Sequence, residues 1–348
     1  MAEFDAASAL LDQVNEARNS ATPLKIQGGN SKAFLGREVT GEVLDTREHR
    51  GIVHYEPTDL VITVRAGTPL TELLATLDAA GQMLPCEPPA FAESATVGGM
   101  IATGLSGPRR PWSGSVRDFV LGTRVITGLG QHLRFGGEVM KNVAGYDLSR
   151  LMTGSFGCLG VLTEVSLKVL PKPRQCLSIR FDIDCARALA NLAEWGQQPL
   201  PISAACHDGD SLYLRLEGGE GSVTAAHQRL GGEPMDSEFW RDLNEHRLPF
   251  FDEGLPLWRL SLPNNLGPLD LSGKQLLDWA GAQRWLKSAN EGIHALAEEL
   301  GGHATCFTHG HDTPFQPLAP TLLRYHRQLK TQLDPQGLFN PGRMYAEF

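Results

Sequence analysis

Apolar positions along this chain follow two periods, and the switches between them predict most of its elements. Between residues 6 and 18, Leu10, Leu11, Val14 and Ala17 recur at three- and four-residue spacing, the mark of a one-sided helix. Leu24-Lys25-Ile26 reads as a short strand running into Gln27-Gly28-Gly29-Asn30-Ser31. Residues 60–64 predict a second strand. After it, Thr68-Pro69 offers an N-cap and a first helical position, with Glu72 in the first turn and Gly81 as the stop. Strands are expected at 119–126 and 161–169, the latter alternating Val161, Thr163, Val165, Leu167 and Val169. Residues 90–107 carry small side chains and little periodicity. Pro171 and Pro173 then break the pattern and predict a domain boundary. Beyond them, strands near 178–183 and 211–216 alternate with helices near 186–195 and 222–230, the order of an α+β unit. A last helix, 321–333, ends at the turn sequence Asp334-Pro335-Gln336-Gly337.

Composition narrows the function classes. The 348 residues suggest two domains, or one large domain with an appendage. Lys and Arg number 31 against 40 Asp and Glu, a net charge of -9 with no basic block, so nothing favours nucleic acid or an anionic membrane. No apolar run approaches the ~20 residues of a membrane span, and no secretory signal opens the chain. A cytoplasmic protein is expected, membrane-associated at most through partners. The six cysteines are scattered without a C-x-x-C pair, which argues against iron–sulfur and zinc frameworks and for buried free thiols.

The candidate chemistry lies in the 38 glycines, concentrated between Gly28 and Gly160. Gln27-Gly28-Gly29-Asn30-Ser31-Lys32 follows a strand and could present consecutive N–H groups to a phosphate, or be a tight turn. It matches neither the dinucleotide G-x-G-x-x-G nor the Walker pattern. Residues 95–104 could lie against a planar ligand, or pack backbone on backbone. A third cluster joins Lys141–Leu148 to Gly154–Thr163. His303, His309 and His311 could ligate a metal if the H-x-H lay on a strand, or form a polar loop. Arg109 and Arg110 could clamp a carboxylate, meet a partner subunit or stay solvated. His326 reads as a packing residue, and Trp112, Trp240, Trp258, Trp279 and Trp285 as core or interface.

Taken in order, the three glycine clusters resemble the FAD-binding domain of the vanillyl-alcohol oxidase and p-cresol methylhydroxylase (PCMH) superfamily. Gly107-Pro108-Arg109-Arg110-Pro111-Trp112-Ser113-Gly114, the run from Gly136 to Asp147 and the tail Leu338-Phe339-Asn340-Pro341-Gly342-Arg343-Met344-Tyr345 narrow the resemblance to the smaller FAD-binding subunits of bacterial glycolate oxidases. The resemblance implies an α+β fold: a two-subdomain PCMH-type FAD-binding domain over 1–172, a reduced α+β cap over 173–310, and a C-terminal segment, 311–348, returning to the FAD domain. By position, Gln27, Gly28, Gly29, Asn30, Ser31 and Lys32 would meet the pyrophosphate of FAD. Thr96, Gly99 and Thr103 would meet the flavin half or the phosphates, and Gly160 and Val161 the cofactor through backbone. Asp118 matches a family position and could equally be structural. Asn30 stands where some relatives carry an attaching histidine, so FAD is expected to be noncovalent, and bulk at Gly29 is expected to block it without unfolding the chain. The implied activity is oxidation of glycolate to glyoxylate, electrons leaving through an iron–sulfur subunit beside a larger FAD-binding catalytic subunit. Two alternatives are a self-sufficient FAD-dependent 2-hydroxyacid dehydrogenase and a non-catalytic scaffold or electron relay. The histidine-rich cap motif of related dehydrogenases is absent, and no catalytic residue is assigned.

Overall fold

The computed structural model describes residues 4–137, 147–252 and 254–348; the part of the third glycine cluster at 138–146 lies outside them. Helix Ala7–Ser20 buries Leu10, Val14 and Ala17 and ends at Ala21 in the left-handed region. Its apolar face meets Leu24, Leu44, Ile126, Val161, Leu338 and Phe339. Strand Leu24–Gln27 pairs in parallel with Glu42–Asp45, and Phe339 from the far end of the chain also bridges to Leu24.

The next strands build a five-stranded antiparallel sheet in the order Ile52–Glu56, Val61–Arg65, Val161–Lys168, Val120–Ile126, His132–Gly136. Its inner strands are buried at nearly every position, which is why they read as apolar runs. Helices Leu70–Ala79 and Val97–Thr103 cover it, with Leu70, Leu73, Leu77, Val97, Met100 and Ile101 on Ile62, Val64, Val165 and Leu167. Each fully buried leucine contributes about 1.5–3 kcal/mol here.

Two local expectations are corrected. Thr68 does not cap the first of these helices, which begins after Pro69. Its hydroxyl instead accepts from the Gly51 N–H at 2.9 Å, tying two loops together. The aperiodic stretch also contains a helix. Val97, Met100 and Ile101 hold helical spacing, but glycines and alanine between them hide it. Thr96 caps that helix by accepting from the Gly99 N–H at 3.3 Å, and Gly104, at φ 62, closes it.

From Gln175 onward the strands belong to an eight-stranded antiparallel sheet. Its order is Glu233–Met235, Gln175–Phe181, Leu212–Gly218, Ile202–His207, Gln275–Asp278, Gln283–Lys287, Leu257–Ser261, His303–Cys306. Helices Cys185–Trp195 and Glu220–Leu230 set Ala188, Leu192, Val223 and Ala226 against Ile179, Leu212, Leu214 and Leu216. A second cluster draws Ala204, Trp240, Leu276 and Trp285 together with Leu35 and Leu105 from the N-terminal half. Ion pairs reinforce that junction. Glu87 meets Arg109 at 3.2 Å and Arg215 at 2.8 Å, and Glu217 pairs with the same two arginines. Burial works to raise the pKa of Glu217, but its two arginines outweigh that and hold it below the usual range. Trp240, Trp258, Trp279 and Trp285 are buried and Trp112 is half-buried against the same sheet.

Helix Pro320–Leu333 buries Lys330 rather than its leucines, and His326 on it is half-buried. Lys330 Nζ donates to Asp334 and to the carbonyls of Cys158 and Phe339, each within 2.8 Å. Asp334 accepts from the N–H groups of Leu338 and Phe339. This knot anchors the tail beside the first strand.

Candidate functional site

The turn after strand Leu24–Gln27, the capped end of helix Val97–Thr103 and the C-terminal tail converge on one groove of about 290 Å³. Gln27, Gly28, Gly29, Asn30, Ser31, Lys32, Thr96, Gly99 and Thr103 all line it, joined by Phe156, Asn340 and Arg343. An inner cavity of about 80 Å³ shares Gly28, Gly99 and Asn340 with it and reaches Gly160.

The glycine loop is shaped by close packing as well as openness. A Cβ on Gly29 would lie 1.4 Å from the Ser94 carbonyl oxygen, and one on Gly28 2.4 Å from Thr96 Oγ1. Ser94 Oγ donates to the Gly29 carbonyl at 2.6 Å, locking the two loops together. The expectation for Gly29 is therefore corrected: a branched side chain there collides with backbone and displaces the loop. Gly99 differs, because its Cβ would meet only Thr96 Oγ1, at 3.3 Å.

With the turn so fixed, the main-chain N–H groups of Gly28, Gly29, Asn30, Ser31 and Lys32 donate to no described residue. Asn30 is left-handed at φ 57, a conformation that helps gather successive N–H groups into an anion nest. Lys32 supplies charge beside them. Its Nζ lies 3.1 Å from the Ala90 carbonyl and 3.4 Å from Ser31 Oγ. Burial pushes the Lys32 pKa down to about 8, with Glu245 pulling it back up. Glu245 also holds the Ala90 and Phe91 N–H groups, at 2.9 and 2.6 Å. Free donors and a desolvated ammonium in an open groove fit a pyrophosphate.

Two of the twelve named residues stand elsewhere. Asp118 lines neither cavity; its carboxylate accepts from the N–H and hydroxyl of Ser115 at 2.8 Å each and closes a capping box on helix Val116–Phe119. Val161 is fully buried in its strand, registered opposite Ile126. The metal reading fails among the described residues, where no cluster of three ligating side chains occurs. Gly310, at φ 81, breaks the H-x-H out of any strand. His309 faces Glu38 at 3.6 Å, while the His311 ring packs 5.0 Å from Trp258. Arg109 is spent on Glu87 and Glu217, and Arg110 lies over Trp279 at 4.4 Å.

Asn340 is the residue that sequence reasoning missed. Its Oδ1 accepts from the Ile26 N–H at 2.8 Å, and its Nδ2 donates to the Phe156 carbonyl at 2.7 Å. It thus fixes the floor of both cavities from the opposite end of the chain. The Asn-Pro-Gly turn and the return of the tail were expected; the partners of the Asn340 side chain were not.

A helix-covered sheet carrying this amide-lined groove, faced by a second antiparallel sheet, defines a flavin-binding protein of the PCMH type. Residues 3–136 match the FAD binding domain family. Solved structures of alkyldihydroxyacetonephosphate synthase share the fold, one with a TM-score of 0.67 at 16% identity over 97% of this chain and 75% of that one. Among curated proteins, the glycolate oxidase subunit GlcE of Escherichia coli K12 is 64% identical, covering 99% of both chains. The chain belongs to that glycolate oxidase subunit family. A D-lactate dehydrogenase of Anaerostipes hadrus is 31% identical over 49% of this chain, but only 36% of its own length is matched.

Proposed function

We propose that this chain is an FAD-binding subunit of a multi-subunit oxidase that converts glycolate to glyoxylate. The observation carrying the reading is end-to-end identity of 64% with a glycolate oxidase subunit, combined with an intact nest of free amides in the groove. FAD binds noncovalently: Asn30, exposed in the loop, offers no nucleophile for attachment. Bound there, FAD supplies the two-electron acceptor for a hydroxy acid.

The chain's own residues bind and orient. The amides of Gly28 to Lys32 and the Lys32 ammonium hold the pyrophosphate. Thr96 and Thr103 face the same groove, and Gly99 leaves room for a ring system. Electrons leave through an iron–sulfur partner. This reading rests on the similarity to a subunit of a glycolate oxidase. A larger FAD-binding subunit completes the catalytic apparatus. No described helix is long and apolar enough to cross a membrane.

The test is an absorption spectrum of the purified chain before and after acid precipitation, followed by anaerobic mixing with glycolate. Flavin should enter the supernatant, and the isolated chain should bleach near background until partner subunits are added. Flavin retained in the pellet refutes noncovalent binding. Rapid, saturable bleaching by the chain alone refutes the need for partners and leaves a self-sufficient dehydrogenase. No gain on reconstitution leaves a non-catalytic scaffold.

A further inference from the structure

Between the N-terminal half and the eight-stranded sheet lies a small cavity of about 20 Å³ that contains a charge the chain does not balance. Arg259 enters it from strand Leu257–Ser261. The residue is half-buried, and its Nε is sealed from solvent with no acceptor. Its guanidinium lies 5.2 Å from the centre of the Phe307 ring, and it forms no ion pair with a described carboxylate.

The neighbours deepen the imbalance. Asp278, the acid on the same wall, is committed: it accepts from the Trp279 N–H at 2.7 Å and from the Gln283 amide at 3.2 Å. His246 is neutral there, because burial pushes its pKa down to about 3 and Arg259 and Lys287 add to the push. Burial, then Arg110, lower the pKa of Arg259 itself to about 10. A partly buried cation without a counter-ion is costly, and its guanidinium fork suits bidentate pairing with a planar carboxylate.

We propose that Arg259 anchors a small-carboxylate site in this cavity, which admits the carboxylate of a two-carbon hydroxy acid and excludes branched ones. The ligand class rests on the glycolate reading above; the unbalanced charge does not. Exclusion follows from the walls. Trp285 meets Phe307 edge-on at 4.8 Å and His246 at 4.6 Å, and Phe91 packs on His246 at 4.9 Å, so an interlocked aromatic set limits the space. Phe91 also lies 5.7 Å from Lys32 Nζ, which sets this cavity next to the cofactor groove.

The experiment measures thermal unfolding of the full chain, loaded with FAD, at constant ionic strength with sodium glycolate, formate, 2-hydroxyisovalerate or chloride. Glycolate and formate should give a saturable rise in Tm; 2-hydroxyisovalerate and chloride should not. Arg259→Met should weaken the glycolate response at least about tenfold. Without any anion it should unfold no lower than the parent, since it removes an unbalanced charge, whereas a merely structural arginine would lower Tm. Arg259→Lys, which keeps the charge and loses the fork, should bind glycolate weakly. No glycolate response in the parent, an equal response to chloride, or a response surviving in Arg259→Met overturns the proposal. FAD retention in the same samples separates that failure from failure of the flavin reading.

Discussion

Raising the pH from 7 to 9 should weaken FAD binding about tenfold, and Lys32→Met should remove most of that dependence. The reasoning starts from the burial of Lys32, which brings its pKa from the ordinary 10.5 to about 8 in the free chain. At pH 7 about nine in ten of these side chains are charged, and at pH 9 about one in ten. A pyrophosphate against the Gly28–Lys32 amides restores the counter-charge and returns the pKa toward its ordinary value. Binding above pH 8 must then take up a proton, and each further pH unit costs about 1.4 kcal/mol, or tenfold, until the complex titrates. Stability of the free chain moves the opposite way. Between about pH 8 and 10.5 the unfolded lysine holds more proton than the folded one, so Lys32 makes stability rise with pH across that window. Flavin fluorescence quenching at each pH gives the affinity, and urea unfolding of the apoprotein gives the stability. Equal affinities at pH 7 and 9 for the parent, or the same tenfold loss in Lys32→Met, would refute the assignment of Lys32 to the pyrophosphate.

Four further substitutions divide packing from binding. Gly99→Val should leave the unfolding midpoint nearly unchanged while FAD affinity falls by at least about tenfold, whereas Gly29→Val should lower both, as its Cβ meets the Ser94 carbonyl; circular dichroism with flavin titration tells them apart. Asp118→Ala should cost about 0.5–2 kcal/mol in urea unfolding through the lost capping box and leave FAD affinity intact; a selective loss of affinity would return Asp118 to the cofactor. Lys330→Met should cost about 3–5 kcal/mol, because it strands the buried Asp334 carboxylate, and a urea midpoint equal to the parent's would contradict that knot.

What was legible in the chain is what local physics decides. Alternation marked Val161–Lys168, helical spacing marked Ala7–Ser20 and Pro320–Leu333, and glycine clusters marked the loop at Gln27 to Lys32. Where the signal was diluted, reading stopped. Ile52–Glu56 and His132–Gly136 are the outer strands of their sheet and carry too little apolar alternation to announce themselves. The helix at Val97–Thr103 was masked by the small residues that keep its groove side open, so the feature that builds the site also hid the element that supports it.

The residues that were illegible share a different property: their partners are distant in sequence. Asn340 works on Ile26, Glu245 on Ala90 and Phe91, and Arg215 on Glu87. Even where such a residue sits in a motif, as Asn340 does, the motif records local geometry and not these contacts, which are set by how distant segments meet. That distinction bears on chemistry. The pyrophosphate end of the groove uses main-chain amides, which a glycine-rich loop can announce. The acid-binding end needs a side chain left without a partner by everything around it. Such a vacancy exists only after folding, and so Arg259, unremarkable between Trp258 and Leu260 in the sequence, becomes conspicuous when Asp278 is found committed to Trp279 and Gln283.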